Sequence, residues 1–230
     1  MPLEDAMKRA LWRLLLRARF VLWQHRRHDR LVLERGLGLP LLILPGVFNP
    51  TLFGTSGVVV DALRRGLVPP GSSVLDVGTG SGVLAIAAAR TASRVVAVDA
   101  NPAAIRCARV NALLNGVEDR VEVRHGNLFD PVGGERFDVV LCNPPFYLGE
   151  PRTLLEGAFY STDFAARFSG ELPSHLAANG FALVVLSSAG DEAGFEQAFL
   201  HAGLSSGVVA ARKLAIETIR VYRLAAGRRS

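Results

Sequence analysis

Val74-Leu75-Asp76-Val77-Gly78-Thr79-Gly80-Ser81-Gly82 is the stretch on which the fold turns. Three apolar residues around one aspartate predict the end of a buried strand. The alternating glycines predict a tight turn, and residues 82–90 predict a helix. A glycine-rich turn lets a ligand lie against the backbone and presents N–H groups at a positive helix end. The spacing is G-x-G-x-G, with Val83 where a dinucleotide fingerprint needs its third glycine, and no Gly-Lys-Ser/Thr follows to make a P-loop. The stretch taken alone fits an ordinary strand-to-helix connection equally well.

Downstream, the pattern alternates. Strand 73–77 and helix 82–90 are followed by strand 94–99 and helix 102–115, then by strands 121–125 and 137–142. Helix 162–179, strand 181–187, helix 191–202 and strands 207–213 and 217–224 complete the series. Apolar strands alternating with amphipathic helices imply a parallel sheet covered on both faces. The last two strands are too close for a crossover and imply an antiparallel hairpin. The expected architecture is α/β: seven strands, mostly parallel, with a C-terminal antiparallel hairpin.

Residues 1–45 differ in character and are expected to form an N-terminal segment ahead of a domain at 46–230. Residues 3–28 read as a basic amphipathic helix with Trp12, Leu15, Leu16, Phe20 and Trp23 near helical spacing. Residues 1–35 carry nine Lys/Arg against four Asp/Glu, and the remainder carries seventeen of each, so the net charge of +5 belongs to this segment. It suits an acidic partner such as RNA, or a docked helix with solvated arginines. His25 and His28 stand three apart with no carboxylate or thiol pattern beside them, and no metal site is assigned. Residues 30–35 and 39–44 read as a β-hairpin. A Gly/Pro/Phe-rich loop, 45–57, then leads into a helix at about 57–66; it suits either a ligand cover, with Phe48 or Phe53 as a flat apolar contact, or simple surface packing.

At 230 residues the chain is long enough for one sizeable core. No run of about 18 apolar residues predicts a membrane span, and arginines scattered through residues 1–30 exclude a signal peptide. Cys107 and Cys142, both in apolar segments, make no disulfide framework and suit a cytoplasmic compartment.

In an open α/β sheet, ligands bind beyond the carboxyl ends of the strands, and four polar features fall there. The glycine turn follows the first strand of the series. Asp99 ends the second, where a carboxylate accepts from two ribose hydroxyls or caps the helix that Asn101-Pro102 begins. Gly126-Asn127-Leu128 follows the third, with Asn127 as an adenine-edge contact or a plain turn residue. Asn143-Pro144-Pro145-Phe146 follows the fourth. Pro144 has no N–H but keeps its carbonyl, Asn143 adds a second acceptor, and Phe146 adds a flat face. Two acceptors beside a face suit a planar NH₂ group.

These stretches together resemble class I S-adenosylmethionine-dependent methyltransferases of the Asn-Pro-Pro-Phe/Tyr group, over about Phe48 to Leu224. The resemblance implies a Rossmann-like fold and S-adenosylmethionine as cofactor. It implies a cofactor site made by Asp76, Gly78, Thr79, Gly80, Gly82, Asp99, Ala100, Asn127, Leu128 and Asn143. It implies catalytic roles for Asn143, Pro144 and Phe146, and acceptor contacts from Phe48, Phe53, Pro145, Phe146 and Tyr147. The run Arg212 to Val221 is similar to short N5-glutamine methyltransferases in its Arg…Glu-Thr-x-x-Val pattern. Three positions depart from relatives: Asn127 where many carry Asp, Phe146 where the glutamine group usually has Tyr, and Pro50 to Thr55, which lacks that group's acidic residue. The favoured acceptor is a protein glutamine amide. An exocyclic amine of RNA or DNA (N6-adenine or N2-guanine), a small molecule, and a non-catalytic subunit of the same fold are the alternatives.

Overall fold

The computed structural model describes residues 30–215 and 217–227. The basic helix expected at 3–28, with its histidine pair, lies outside them. The described chain begins with a hairpin, β1 (Val32–Gly36) and β2 (Leu39–Ile43), and helix α1 (Gly54–Ala62). Then come β3 (Ser73–Val77), α2 (Val83–Ala88), β4 (Arg94–Asp99), α3 (Pro102–Leu114), β5 (Val121–His125) and β6 (Phe137–Cys142). Two short strands, β7 (Tyr147–Leu148) and β8 (Tyr160–Ser161), precede α4 (Phe164–His175), β9 (Leu176–Ser187), α5 (Glu192–His201), β10 (Leu204–Lys213) and β11 (Thr218–Ala226). Seven strands form the central sheet in the order β10-β11-β9-β6-β3-β4-β5. β11 is antiparallel to both neighbours, and β9, β6, β3, β4 and β5 run parallel. This is the expected Rossmann-like arrangement.

Side-chain alternation divides the core into two layers. Val74, Val95, Ala97, Val139, Leu141 and Val185 pack with α1, α2, α3 and the hairpin. Leu75, Val77, Val96, Val98, Val140 and Val184 pack with Phe168 and Leu172 of α4 and Phe195 and Phe199 of α5. The hairpin contributes Leu39, Leu41 and Ile43 to the first layer. Buried Asn111 on α3 fastens it there: Oδ1 accepts the Leu42 N–H at 2.7 Å, and Nδ2 donates to the Leu42 and Ser81 carbonyls at 2.9 Å. One side chain thus ties the hairpin to the glycine turn. The division expected between residues 45 and 46 is a proposal; β1 and β2 fall on its N-terminal side, and β2 shares the first core layer.

Several boundaries differ from expectation, β10 beginning at Leu204 and not at 207 among them, and three differences have a clear physical cause. The helix expected at about 57–66 begins earlier, at Gly54, and widens into a π-turn over Leu63–Leu67 that closes on Gly66 in the left-handed region. The helix expected at 162–179 ends at His175, because Leu176 pairs with Phe137 on β6 and draws the chain into β9. Leu-Ala-Ala-Asn is locally compatible with helix, and strand pairing overrides it. Gly180 makes that pairing feasible, since a Cβ there would lie 2.7 Å from the Phe137 carbonyl oxygen and 2.9 Å from the Ala177 nitrogen. Gly180→Ala is therefore expected to destabilise the fold by about 2 kcal/mol, as a core steric clash does, read as a lower denaturation midpoint with unchanged slope. Thirdly, the cap of α3 is Asn101, whose side chain accepts the Ala103 N–H at 2.9 Å, and not Asp99.

Candidate active site

A crevice of about 1420 Å³ opens along the carboxyl ends of the parallel strands. Its floor follows from register. β3 pairs with β6 so that Val77 stands opposite Cys142. Gly78 and Asn143, the next residues, leave neighbouring strands at the same level, and both line the crevice. So do Thr79, Gly80, Asp99, Ala100, Asn127, Leu128, Pro144, Pro145, Phe146, Tyr147, Phe48 and Phe53. Of the residues expected at the site, Asp76 and Gly82 do not line it; they lie beneath the turn.

The turn is held by the end of β4. Gly78 and Thr79 both donate to the Val98 carbonyl at 2.9 Å, Gly80 donates to Asp99 Oδ2 at 2.8 Å, and Gly82 donates to the Thr79 carbonyl at 2.9 Å. Four N–H groups expected to face a ligand are thus used inside the protein. That is a correction with a chemical consequence, because an anion such as phosphate needs such donors free. Gly78 and Gly80 have φ of +72° and +55°, and a Cβ on either would project into open space. Their bareness keeps the crevice wide where a ligand's backbone-facing edge would lie.

Carboxylates surround this turn. Asp76 is fully buried; Oδ2 accepts the Thr79 hydroxyl at 2.6 Å and the Ala85 N–H at 3.1 Å, and Oδ1 has no protein partner. Burial, the largest influence, raises its pKa to about 7, against the opposing hydrogen bonds. Asp99 Oδ1 accepts the Asn101 N–H at 2.8 Å, and burial also raises its pKa. Each Asp99 oxygen accepts one bond and keeps capacity for a hydroxyl donor. Leu128, buried with φ of +48°, adopts a conformation rare for a branched side chain and sets Asn127 and itself against the crevice. Donor-poor, flanked by two carboxylates and lined by bare glycines, the pocket fits a cationic nucleoside better than a phosphate.

Across the floor, Asn143 Nδ2 lies 3.3 Å from Ser56 Oγ and 3.5 Å from Thr55 Oγ1. Its Oδ1 is buried with no partner among the described residues. A ring cluster forms one wall: Phe48 and Phe53 stack with centroids 4.8 Å apart, and Phe159 meets them edge-on at 5.3 and 5.4 Å. Thr55, Ser56, Phe159 and Glu217 are crevice residues to which sequence reasoning assigned no site role. Thr55 and Ser56 sit inside the loop singled out at 45–57, and Glu217 inside the Arg212–Val221 run, so position was visible where role was not. No group of three or more His, Cys, Asp or Glu among the described residues makes a metal site.

Charge divides the crevice unevenly. On the segments that follow Asn143 in the chain, Glu150, Glu156, Asp191 and Glu217 line the crevice, and Arg152 is the one basic side chain among the described residues of the whole lining. Glu217 accepts the hydroxyl of buried Ser187, and Asp191 donates its N–H to the Phe146 carbonyl at 2.7 Å.

Comparison with known proteins agrees with this geometry. A release factor glutamine methyltransferase from Geobacter sulfurreducens is 35% identical over 164 residues, 65% of this chain and 56% of that protein. A second, from Gloeobacter violaceus, is 32% identical over 193 residues, 74% of this chain and 66% of its own length. The matched part thus spans between about half and two thirds of these relatives. Among solved structures, a 16S rRNA methyltransferase from T. thermophilus in complex with AdoMet and guanosine superposes with a TM-score of 0.64 at 25% identity, covering 86% of this chain and 50% of that one. With a family model matching residues 38–202, the chain belongs to the methyltransferase small domain family, with S-adenosylmethionine as its cofactor.

Proposed function

We propose that this protein methylates the planar NH₂ of a glutamine side chain in a polypeptide. Asn143 carries the reading: a buried amide oxygen without a partner, level with the glycine turn, has the position and the chemistry of an acceptor for a substrate N–H. Gly78, Gly80, Asp99, Asn127 and Leu128 would hold the cofactor, with Asp76 bracing the turn from below. When bound, that cofactor supplies an electrophilic methyl group.

An amide nitrogen is a weak nucleophile because its lone pair is delocalised over the carbonyl. Asn143 Oδ1 and the Pro144 carbonyl each accept one N–H, which aims the remaining lobe of the nitrogen at the cofactor side. The same two dipoles stabilise the positive charge that grows on nitrogen as its new bond to carbon forms. Holding both reactants in line supplies the rest. One N–H proton then leaves to solvent, and the product is the secondary amide. Neither cysteine competes as a nucleophile, since burial pushes the Cys107 thiol up to about 11 and raises that of Cys142 too.

Wall charge separates the candidate acceptors. Four carboxylates against one arginine, on the lining segments after Asn143, repel a phosphate backbone and tolerate a neutral or basic peptide. Relatives named as release factor and ribosomal protein uL3 glutamine methyltransferases support the same reading. The second reading, an exocyclic base amine, is favoured by the guanosine-bound structural relative and by the basic residues before 36. Incubation with methyl-labelled S-adenosylmethionine and a whole-cell extract, followed by separate protease and nuclease digestion, decides between them. Label released by protease and recovered as N5-methylglutamine is the expected result; label released by nuclease alone overturns it.

A further inference from the structure

We propose that Ser56, seconded by Thr55, is a positioning residue that fixes which end of the Asn143 amide faces the methyl acceptor; this rests on the clamp role proposed for Asn143. A primary amide has two ends of nearly the same shape and opposite hydrogen-bonding sense. Only one orientation serves. With the oxygen toward the acceptor, the incoming N–H finds a partner; with the NH₂ there, donor meets donor and the acceptor nitrogen is turned away.

The first turn of α1 supplies partners for the NH₂ end; a hydroxyl donates or accepts as its neighbour requires, and once an incoming N–H occupies Oδ1 these two serve as acceptors. Ser56 and Thr55 are buried, and their hydroxyl oxygens lie on the Nδ2 side of Asn143, at 3.3 and 3.5 Å. Two hydroxyl oxygens have the capacity to take the two hydrogens of one NH₂ group, and Oδ1 is left at the opposite end without a partner. The bonds are long in the free protein, as such contacts often are before a substrate arrives and tightens them. The arrangement is non-local. α1 packs against the sheet through buried Val58, Val59 and Val60, and that packing brings the two hydroxyls over the end of β6. A buried hydroxyl pair serving one side chain that also carries an unused acceptor is more than packing requires.

Ser56→Ala is expected to lower the rate of label transfer to the polypeptide fraction of a whole-cell extract, at saturating extract, about tenfold, and the double variant Thr55→Val/Ser56→Ala about a hundredfold. Calorimetric affinity for S-adenosylmethionine is expected to stay within about twofold, and Thr55→Ser to keep the parental rate. In an Asn143→Ala background, Ser56→Ala is expected to have no further effect, because its target is gone. Parental activity in the double variant, with Asn143→Ala inactive, overturns this inference and leaves the clamp standing. An equal fractional loss from Ser56→Ala with and without Asn143 also overturns it. Parental activity in Asn143→Ala removes the clamp and the inference with it. Should Ser56→Ala lose cofactor binding through misfolding, Thr55→Val against Thr55→Ser carries the test. A loss of about threefold or more in Val and none in Ser supports the inference, and equal rates in both overturn it.

Discussion

Asn143→Ala is expected to slow methyl transfer by about two to three orders of magnitude while S-adenosylmethionine binds with nearly parental affinity. The size follows from removing one preorganised dipole aimed at charge that develops only in the transition state. Affinity is spared because the turn and Asp99 belong to β3 and β4, and their hydrogen bonds do not pass through Asn143. The substrate half-saturation constant should rise little, since the lost bond strengthens as nitrogen becomes positive. The measurement is initial rate against extract concentration, with calorimetry of the cofactor alongside. A parental rate removes the proposed clamp.

The second large effect is on stability. Asp76 is fully buried with its pKa raised from 3.8 to about 7. The folded state therefore holds this proton more tightly than the unfolded chain does. The stabilisation is complete below about pH 4, and it is lost as pH rises through about 7, where the buried carboxyl must ionise. The difference amounts to about 4 kcal/mol. Asp76→Asn keeps an oxygen for Thr79 and Ala85 and has no charge to bury. Relative to this variant, the cofactor-free parent is expected to lose about 4 kcal/mol between pH 4 and pH 8, read as a growing gap between their denaturant midpoints. Subtraction cancels the surface carboxylates, such as Glu122, whose pKa its neighbours Arg124 and Arg94 lower. A gap independent of pH would show that Asp76 ionises in the folded protein as readily as in the unfolded chain. At pH 8 the cofactor should narrow the gap, since a cation near this turn favours the charged form of Asp76.

Much of this was legible in the sequence, for a reason visible in the residues. Buried parallel strands such as Val95 to Val98 carry continuous apolar runs, and their ends are marked by a polar residue: Asp99 as the last of β4, Asn143 just after β6. Ligands meet such a sheet at those ends, so fold and candidate site are read from one pattern. Other features depend on partners far away in the chain. Asn143 meets Ser56 and Thr55 across 87 and 88 positions, and neither hydroxyl has a local signature. β7 and β8 are two residues each, too short for periodicity, and exist because Tyr147 pairs with Tyr160. Residues 176–179 look helical until Phe137 claims the strand position beside them. The free N–H groups expected of the glycine turn vanished for the same reason, since the Val98 carbonyl and Asp99 reach them only once β4 lies alongside β3.

One ladder of backbone hydrogen bonds sets the distance between the two proposed half-sites. Because Val77 is locked opposite Cys142, the glycine turn proposed to cradle the donor and the Asn143 proposed to grip the acceptor leave the sheet a single strand spacing apart, about 4.8 Å. Deleting one residue from within β6 would invert every side chain beyond the cut, turning residue 143 toward the α4–α5 layer. Asn143 would then leave Ser56 and Thr55 and face away from the glycine turn, and methyl transfer is expected to stop.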